Sequence, residues 1–166
     1  MDLQLKVLSR EINRLMWNTE KTISTAESCS AGRLSTLLSE FPGSSDYFVG
    51  GIVCYTEELK KRYLQVNPKI IETKSAVCED VAKQMVIGAV ELFNTDYAVA
   101  MTGFAGPGGG TEDSPVGSIW IAVGSKDEIV TYKQSGNAGR EQNVVNATAK
   151  ALTLLRDFLR EDLGKD

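Results

Sequence analysis

The stretch "TISTAESCSAGRLS", residues 22–35, runs from an alternating, strand-like segment into a cluster of hydroxyl and thiol side chains and then into a helical pattern. Ser28 falls where the strand hands over to the helix. Backbone N–H groups of the next residues are unpaired at such a junction and face the positive helix end, so it can hold an oxyanion or a phosphate. Ala26 and Ser30 stand where the hydrolase elbow G-x-S-x-G has glycines, so that motif is absent. Taken alone, Ser28 and Ser30 fit a cap and a turn residue better than a nucleophile pair. Cys29 competes for the nucleophile role, because a helix start lowers a thiol pKa. A buried, inert thiol packed behind the strand is its plainer reading.

A serine nucleophile needs a base, and the chain has no histidine. Acid–base chemistry must therefore use Lys, Tyr, Asp, Glu or Cys, and the usual catalytic metal ligand is missing as well. Lys60 follows Tyr55 by five residues on the first turns of a helix and can reach back over a strand end. Neighbouring Lys61 and Arg62 would help to lower its pKa. From spacing alone, "EELKKRYL" is read more simply as a solvated helix face. "GFAGPGGGTEDSPVG" matches neither the P-loop nor the dinucleotide fingerprint. Its glycines, from Gly103 and Gly106 onward, could let a ligand approach backbone amides or could form a mobile surface loop. Arg140 opens the last helix, where a phosphate would be favoured and an exposed arginine is the alternative.

These residues need a scaffold. With 166 residues, 42% hydrophobic and 24% charged, the chain fits one soluble domain spanning 1–166. A net charge of -4 with scattered basic residues argues against nucleic acid as the main partner. No apolar run reaches bilayer length and no signal peptide is evident, so a cytoplasmic protein is expected. Cysteines at 29, 54 and 78 fit neither a disulfide framework nor a zinc site. Helical spacing marks "DLQLKVLSREINRLMW" as a covering helix, and predicts further helices over "AGRLSTLLSEF", "TEELKKRYL", "SAVCEDVAKQMVIGAVELF" and "EQNVVNATAKALTLLRDFLRE". The long helix should bury Val81, Met85, Ala89 and Leu92, and the last one Val145, Ala149, Leu152, Leu155 and Leu159. Strands are expected in "TISTAES", "GGIVCY", "DYAVAMTG", "PVGSIWIAVGS" and "EIVTYKQ", the last two as a hairpin. The pattern predicts a three-layer α/β/α sandwich with a mixed, mostly parallel sheet of about five strands, one of them antiparallel. Ligands of such sheets gather at strand ends, which would bring Ser28 to Ser30, Tyr55 and the loop from Gly103 to one cleft.

In order along the chain, "TAESCSAG", "PGSSDYFVGGIVCYTEELKKRYLQV", "SAVCEDVAKQMVIGA" and "GFAGPGGGTEDSPVG" together resemble the nicotinamide-nucleotide amidase family, the C-terminal domain of the competence/damage-inducible protein CinA. The resemblance implies a three-layer α/β/α fold and hydrolysis of the carboxamide of nicotinamide mononucleotide to nicotinate mononucleotide and ammonia. It implies a Ser/Lys/Tyr site at Ser28, Lys60 and Tyr55, without metal or organic cofactor. Amides near Cys29 and Ser30 would hold the oxyanion, with Ser44, Ser45, Gly106 and Arg140 as candidates for the phosphate. A homodimer acting on a small-molecule nucleotide is the expected assembly, with no fusion partner.

The chain departs from the family pattern at four places. Ala31 replaces a glycine, Cys78 stands where a serine would cap the long helix, Phe104 replaces an isoleucine, and Val144 falls where a second arginine is usual, removing one anion contact. A non-catalytic nucleotide-binding or interaction module of the same fold is the main alternative, and an amidase for another small amide is a third reading.

Overall fold

The computed structural model describes residues 2–165. Eleven elements follow one another: α1 (Leu3–Met16), β1 (Ile23–Glu27), α2 (Arg33–Leu38), β2 (Phe48–Val53), α3 (Glu57–Leu64), α4 (Pro68–Lys74), α5 (Glu79–Phe93), β3 (Tyr97–Gly103), β4 (Ile119–Gly124), β5 (Ile129–Gln134) and α6 (Arg140–Leu163). A single 3-10 turn at Ser44–Asp46 precedes β2. The sheet order is β2-β1-β3-β4-β5. Strands β2, β1 and β3 run parallel, while β4 is antiparallel to both of its neighbours. One strand of five therefore runs against the rest, as the sequence pattern predicts.

The two faces of the sheet carry side chains of different size. Ile23, Val99, Met101, Ile119 and Ile121 point into a core shared with α1, α2 and α6. Ala26, Ala98, Ala100 and Ala122 point the other way, into a core with α5 and its neighbours. Small side chains on that face let α5 lie close to the strands. Gly88 serves the same packing one layer out, since a Cβ there would lie 2.3 Å from the Leu64 carbonyl oxygen at the end of α3.

Three details differ from the sequence reading. Helix α4 was not foreseen, although Asn67 caps it and Pro68 occupies its first turn. Leu92 is 46% exposed instead of joining Val81, Met85 and Ala89 in the core. On α6 the buried stripe runs through Asn143, Val144, Ala147, Thr148 and Ala151, leaving Val145 and Ala149 only partly covered. Among the described residues no helix is long and apolar enough to cross a membrane.

Candidate active site

Strand β1 ends at Glu27, and its pairing with β3 continues one residue further, where the Ser28 N–H donates to the Met101 carbonyl at 3.0 Å. The chain then turns sharply. Ala31 N–H donates to Ser28 O, Arg33 N–H to Ser30 O, and both Ala31 (φ 49°) and Gly32 (φ 98°) are left-handed. Position 31 is thus one where a side chain carries a backbone cost, which gives the Ala31 departure a local physical meaning.

The carboxylate of Glu27 holds this turn. It is fully buried. Its Oε2 accepts from the N–H groups of Gly32 and Leu34 at 3.0 Å each, and its Oε1 accepts from Ser35 N–H and Ser35 Oγ at 2.8 Å each. Glu27 therefore satisfies the orphan donors at the start of α2 that the sequence reading offers to Ser28 as a cap. Ser35 Oγ also bonds Thr25 Oγ1 at 2.7 Å. Gly51 of β2 covers the pair, and a Cβ there would lie 1.9 Å from Thr25 Oγ1. With the cap role filled, the Ser28 hydroxyl is free for another partner.

That partner is Lys60. Thr56 caps α3 by accepting the Leu59 N–H, and Lys60 lies on the following turn with its chain running inward. Its Nζ donates to Ser28 Oγ at 2.8 Å and to the Cys54 carbonyl at 2.9 Å. Lys60 is 2% exposed, in a helix whose Glu57, Glu58 and Arg62 face solvent. Reading "EELKKRYL" as one solvated face is therefore corrected at this residue. Burial holds the Lys60 amine below its ordinary value of 10.5. Lys61 and Arg62 are not among the causes, contrary to the expectation that adjacent charge would do this. No carboxylate forms an ion pair with Lys60 among the described residues. The Cys54 N–H donates to the Glu27 carbonyl at 2.8 Å, so the backbone that seats the amine is tied to the residue before the hydroxyl.

Cys29 and Ser30 follow Ser28 with N–H groups that, among the described residues, bond no acceptor on another residue, two donors available to a developing oxyanion. The Cys29 thiol is packed in the core and burial pushes its pKa up to about 12, which removes it as a nucleophile. Ser30 Oγ is buried without a hydrogen-bond partner among the described residues. Tyr55 is half exposed and its hydroxyl accepts from Arg140 Nη2 at 3.1 Å, bonding neither Ser28 nor Lys60. Arg140 Nη1 donates to the Gly106 carbonyl at 2.7 Å, so Arg140 links the glycine loop to Tyr55 beside the Ser28–Lys60 pair. Gly103 ends β3 where a Cβ would lie 2.5 Å from Ile119 Cγ1, so its first demand is strand packing.

Two residues named for the phosphate do not join this cluster. Ser44 and Ser45 precede β2, and β2 runs parallel to β1. They therefore lie at the opposite end of the sheet from Ser28. Val144 is buried in the core under α6, so position 144 does not face the cleft. Sequence reasoning missed Glu27 and Asn143. An acid closing an otherwise uncharged strand, and an amide on the i, i+4 series Asn143, Ala147, Ala151 and Leu155, are the signals that could have found them.

A family model described as the CinA C-terminal domain matches residues 5–159. The chain is 39% identical over 152 residues to a CinA-like protein of Trichormus variabilis, covering 90% of this chain and 36% of the relative. It is 44% identical over 148 residues to a CinA-like protein of Mycobacterium avium, covering 85% and 34%. The chain thus spans about a third of the length of these relatives. Among solved structures it superposes on the competence/damage inducible protein CihA from Agrobacterium tumefaciens with a TM-score of 0.90 and 32% identity, covering 95% of this chain and 99% of that one. The competence damage-inducible protein A (ComA) from Klebsiella pneumoniae gives 0.89 and 30%, covering 93% and 96%. With that family model matched over residues 5–159, the chain belongs to the CinA C-terminal domain family.

Proposed function

We propose that this domain is an amidohydrolase that releases ammonia from the carboxamide of nicotinamide mononucleotide. The observation that carries the reading is the buried amine of Lys60, 2.8 Å from a serine hydroxyl and without a counter-ion among the described residues. A buried amine with a lowered pKa is a base. As a neutral amine, Lys60 accepts the Ser28 proton while Ser28 Oγ bonds to the carboxamide carbon. The carbonyl oxygen becomes an oxyanion facing the free amides of Cys29 and Ser30. Collapse breaks the C–N bond, and the proton held by Lys60 leaves with the nitrogen as ammonia. Water then attacks the acyl-enzyme, Lys60 taking one of its protons and returning it to Ser28 Oγ as the carboxylic acid departs and gives its own proton to solvent. Arg140, whose two hydrogen bonds go to uncharged acceptors, supplies positive charge for the substrate phosphate. Tyr55 positions that guanidinium in this scheme.

Ammonia release from nicotinamide mononucleotide by the wild type, Ser28→Ala, Lys60→Ala and Cys29→Ala tests the reading. Loss of release in the first two variants and its retention in Cys29→Ala are expected. A wild type that binds the nucleotide by calorimetry and releases no ammonia would move the assignment to a nucleotide-binding module.

A further inference from the structure

We propose that Asn143 is the positioning residue that fixes the glycine loop against α6, so that Gly106 and Arg140 face the cleft together. This deepens the amidase reading, on whose phosphate site it rests for its kinetic consequence. Asn143 is 1% exposed at the start of α6. Its Nδ2 donates to the Ala105 carbonyl at 3.0 Å and to Asn137 Oδ1 at 2.9 Å, and its Oδ1 accepts the Ala138 N–H at 2.8 Å. The main chain of the same residue accepts from Gln134 Nε2 at 3.0 Å. Three segments therefore meet on one residue: the end of β5, the connection from β5 to α6, and the loop after β3.

Arg140 lies three residues earlier, one turn away on a neighbouring helix face. It grips the Gly106 carbonyl while Asn143 grips the Ala105 carbonyl. Two consecutive carbonyls of a loop containing Gly106, Gly108, Gly109 and Gly110 are thus held by the first turn of one helix. Glycines leave such a loop wide conformational freedom, and among the described residues its one other side-chain bond is local, from Ser114 N–H to Thr111 Oγ1. The Asn143 amide spends its hydrogen bonds on protein atoms and presents none to a ligand. Its effect on substrate runs through where the loop and Arg140 sit. Loss of the clamp should weaken anion binding and leave the Ser28–Lys60 pair, seated on β1, β2 and α3, unchanged.

The test has two arms on Asn143→Ala, with Asn137→Ala as a milder variant that removes one partner of the amide should the first fail to fold. Hydrogen exchange should show faster exchange of loop amides between 103 and 118 in the variant, with the amides of β1 and β3 as in the wild type. Steady-state ammonia release from nicotinamide mononucleotide should show KM raised about tenfold or more, the scale of one lost charge-assisted contact, with kcat changed less than about threefold. Unaltered loop exchange overturns the proposal. Equal falls in kcat and in kcat/KM overturn it too, since that pattern belongs to the chemical step. A wild type with no turnover sinks the amidase reading alone, and the exchange arm still decides the clamp.

Discussion

Glu27→Gln keeps the shape of the residue that holds the Ser28 turn and removes half of its accepting capacity. The buried carboxylate accepts four hydrogen bonds, two at each oxygen. An amide has one oxygen. Placed over Gly32 and Leu34, that oxygen leaves the NH2 group facing Ser35, whose hydroxyl can rotate to accept but whose N–H then points at a donor. Placed over Ser35, it orphans two N–H groups in the turn. The cheaper orientation strands one buried backbone donor and turns charge-assisted bonds into neutral ones, a loss of about 2–4 kcal/mol. At about 2–4 °C per kcal/mol for a domain of this size, Tm should fall by about 5–15 °C. The variant should still fold, since domains commonly hold about 5–15 kcal/mol in reserve. Thermal unfolding followed by circular dichroism measures the first effect. Ammonia-release kinetics measure the second, a fall in kcat, because the next residue is the proposed nucleophile. A Tm within about 2 °C of the wild type, less than the loss of one such donor would produce, would refute the claim that Glu27 holds the turn.

Lys60→Met keeps an unbranched stem out to the Cε position and removes the amine, so ammonia release should fall by at least about 100-fold, the lower end of what a general base contributes. The same variant tests the burial argument through pH. Because the folded-state pKa of Lys60 lies below 10.5, the unfolded chain binds more protons between the two values, and stability rises with pH across that window. Urea unfolding should therefore show the wild type gaining stability relative to Lys60→Met as pH climbs toward 10.5, and a constant difference would contradict a buried amine. Wild-type kcat/KM should rise over the limb on which Lys60 loses its proton. Thiol chemistry gives a third check: burial raises Cys29 and Cys54, while Cys78 is only partly buried. An aromatic disulfide reagent should modify Cys78 first in the native protein, and immediate modification of all three would overturn the buried placement of the other two.

Strand and helix identities, short α4 apart, were legible because the periods are strong, and the pairing of Ser28 with Lys60 was reachable from residue types once histidine was absent. What the sequence hid was direction. Lys60 sits in a run whose charges look alike on paper, and only the inward turn of α3 separates it from Arg62. Ser44 and Ser45 carry suitable hydroxyls, but parallel pairing of β1 and β2 sends the start of one strand away from the end of the other. On α6 Leu152, Leu155 and Leu159 are buried as expected, but in the first turns the buried stripe is displaced by one residue, about 100° of helix, which moves Val144 into the core and leaves Val145 at its margin. Glu27 was hidden for a different reason. A charged residue at full burial is rare unless its partners are supplied, and those partners are backbone N–H groups that no residue letter records.

The two halves of the site are held by different kinds of structure, and that division has a functional consequence. The proposed nucleophile and base depend on strand pairing: Ser28 is fixed by the carbonyl of Met101 on β3, and Lys60 by the carbonyl of Cys54, which follows β2 and is itself bonded to Glu27. Parallel pairing of β2, β1 and β3 sets these distances, so they change only if the sheet changes. Arg140 and Gly106 depend instead on side-chain clamps from α6 to a glycine loop, which can shift while the sheet stays intact. In the proposed reaction, substitutions on the loop and the first turn of α6 should therefore act on KM, and those beneath Ser28 on kcat. Relatives sharing the sheet-side residues and differing in the loop would then share the chemistry and differ in the anion they accept.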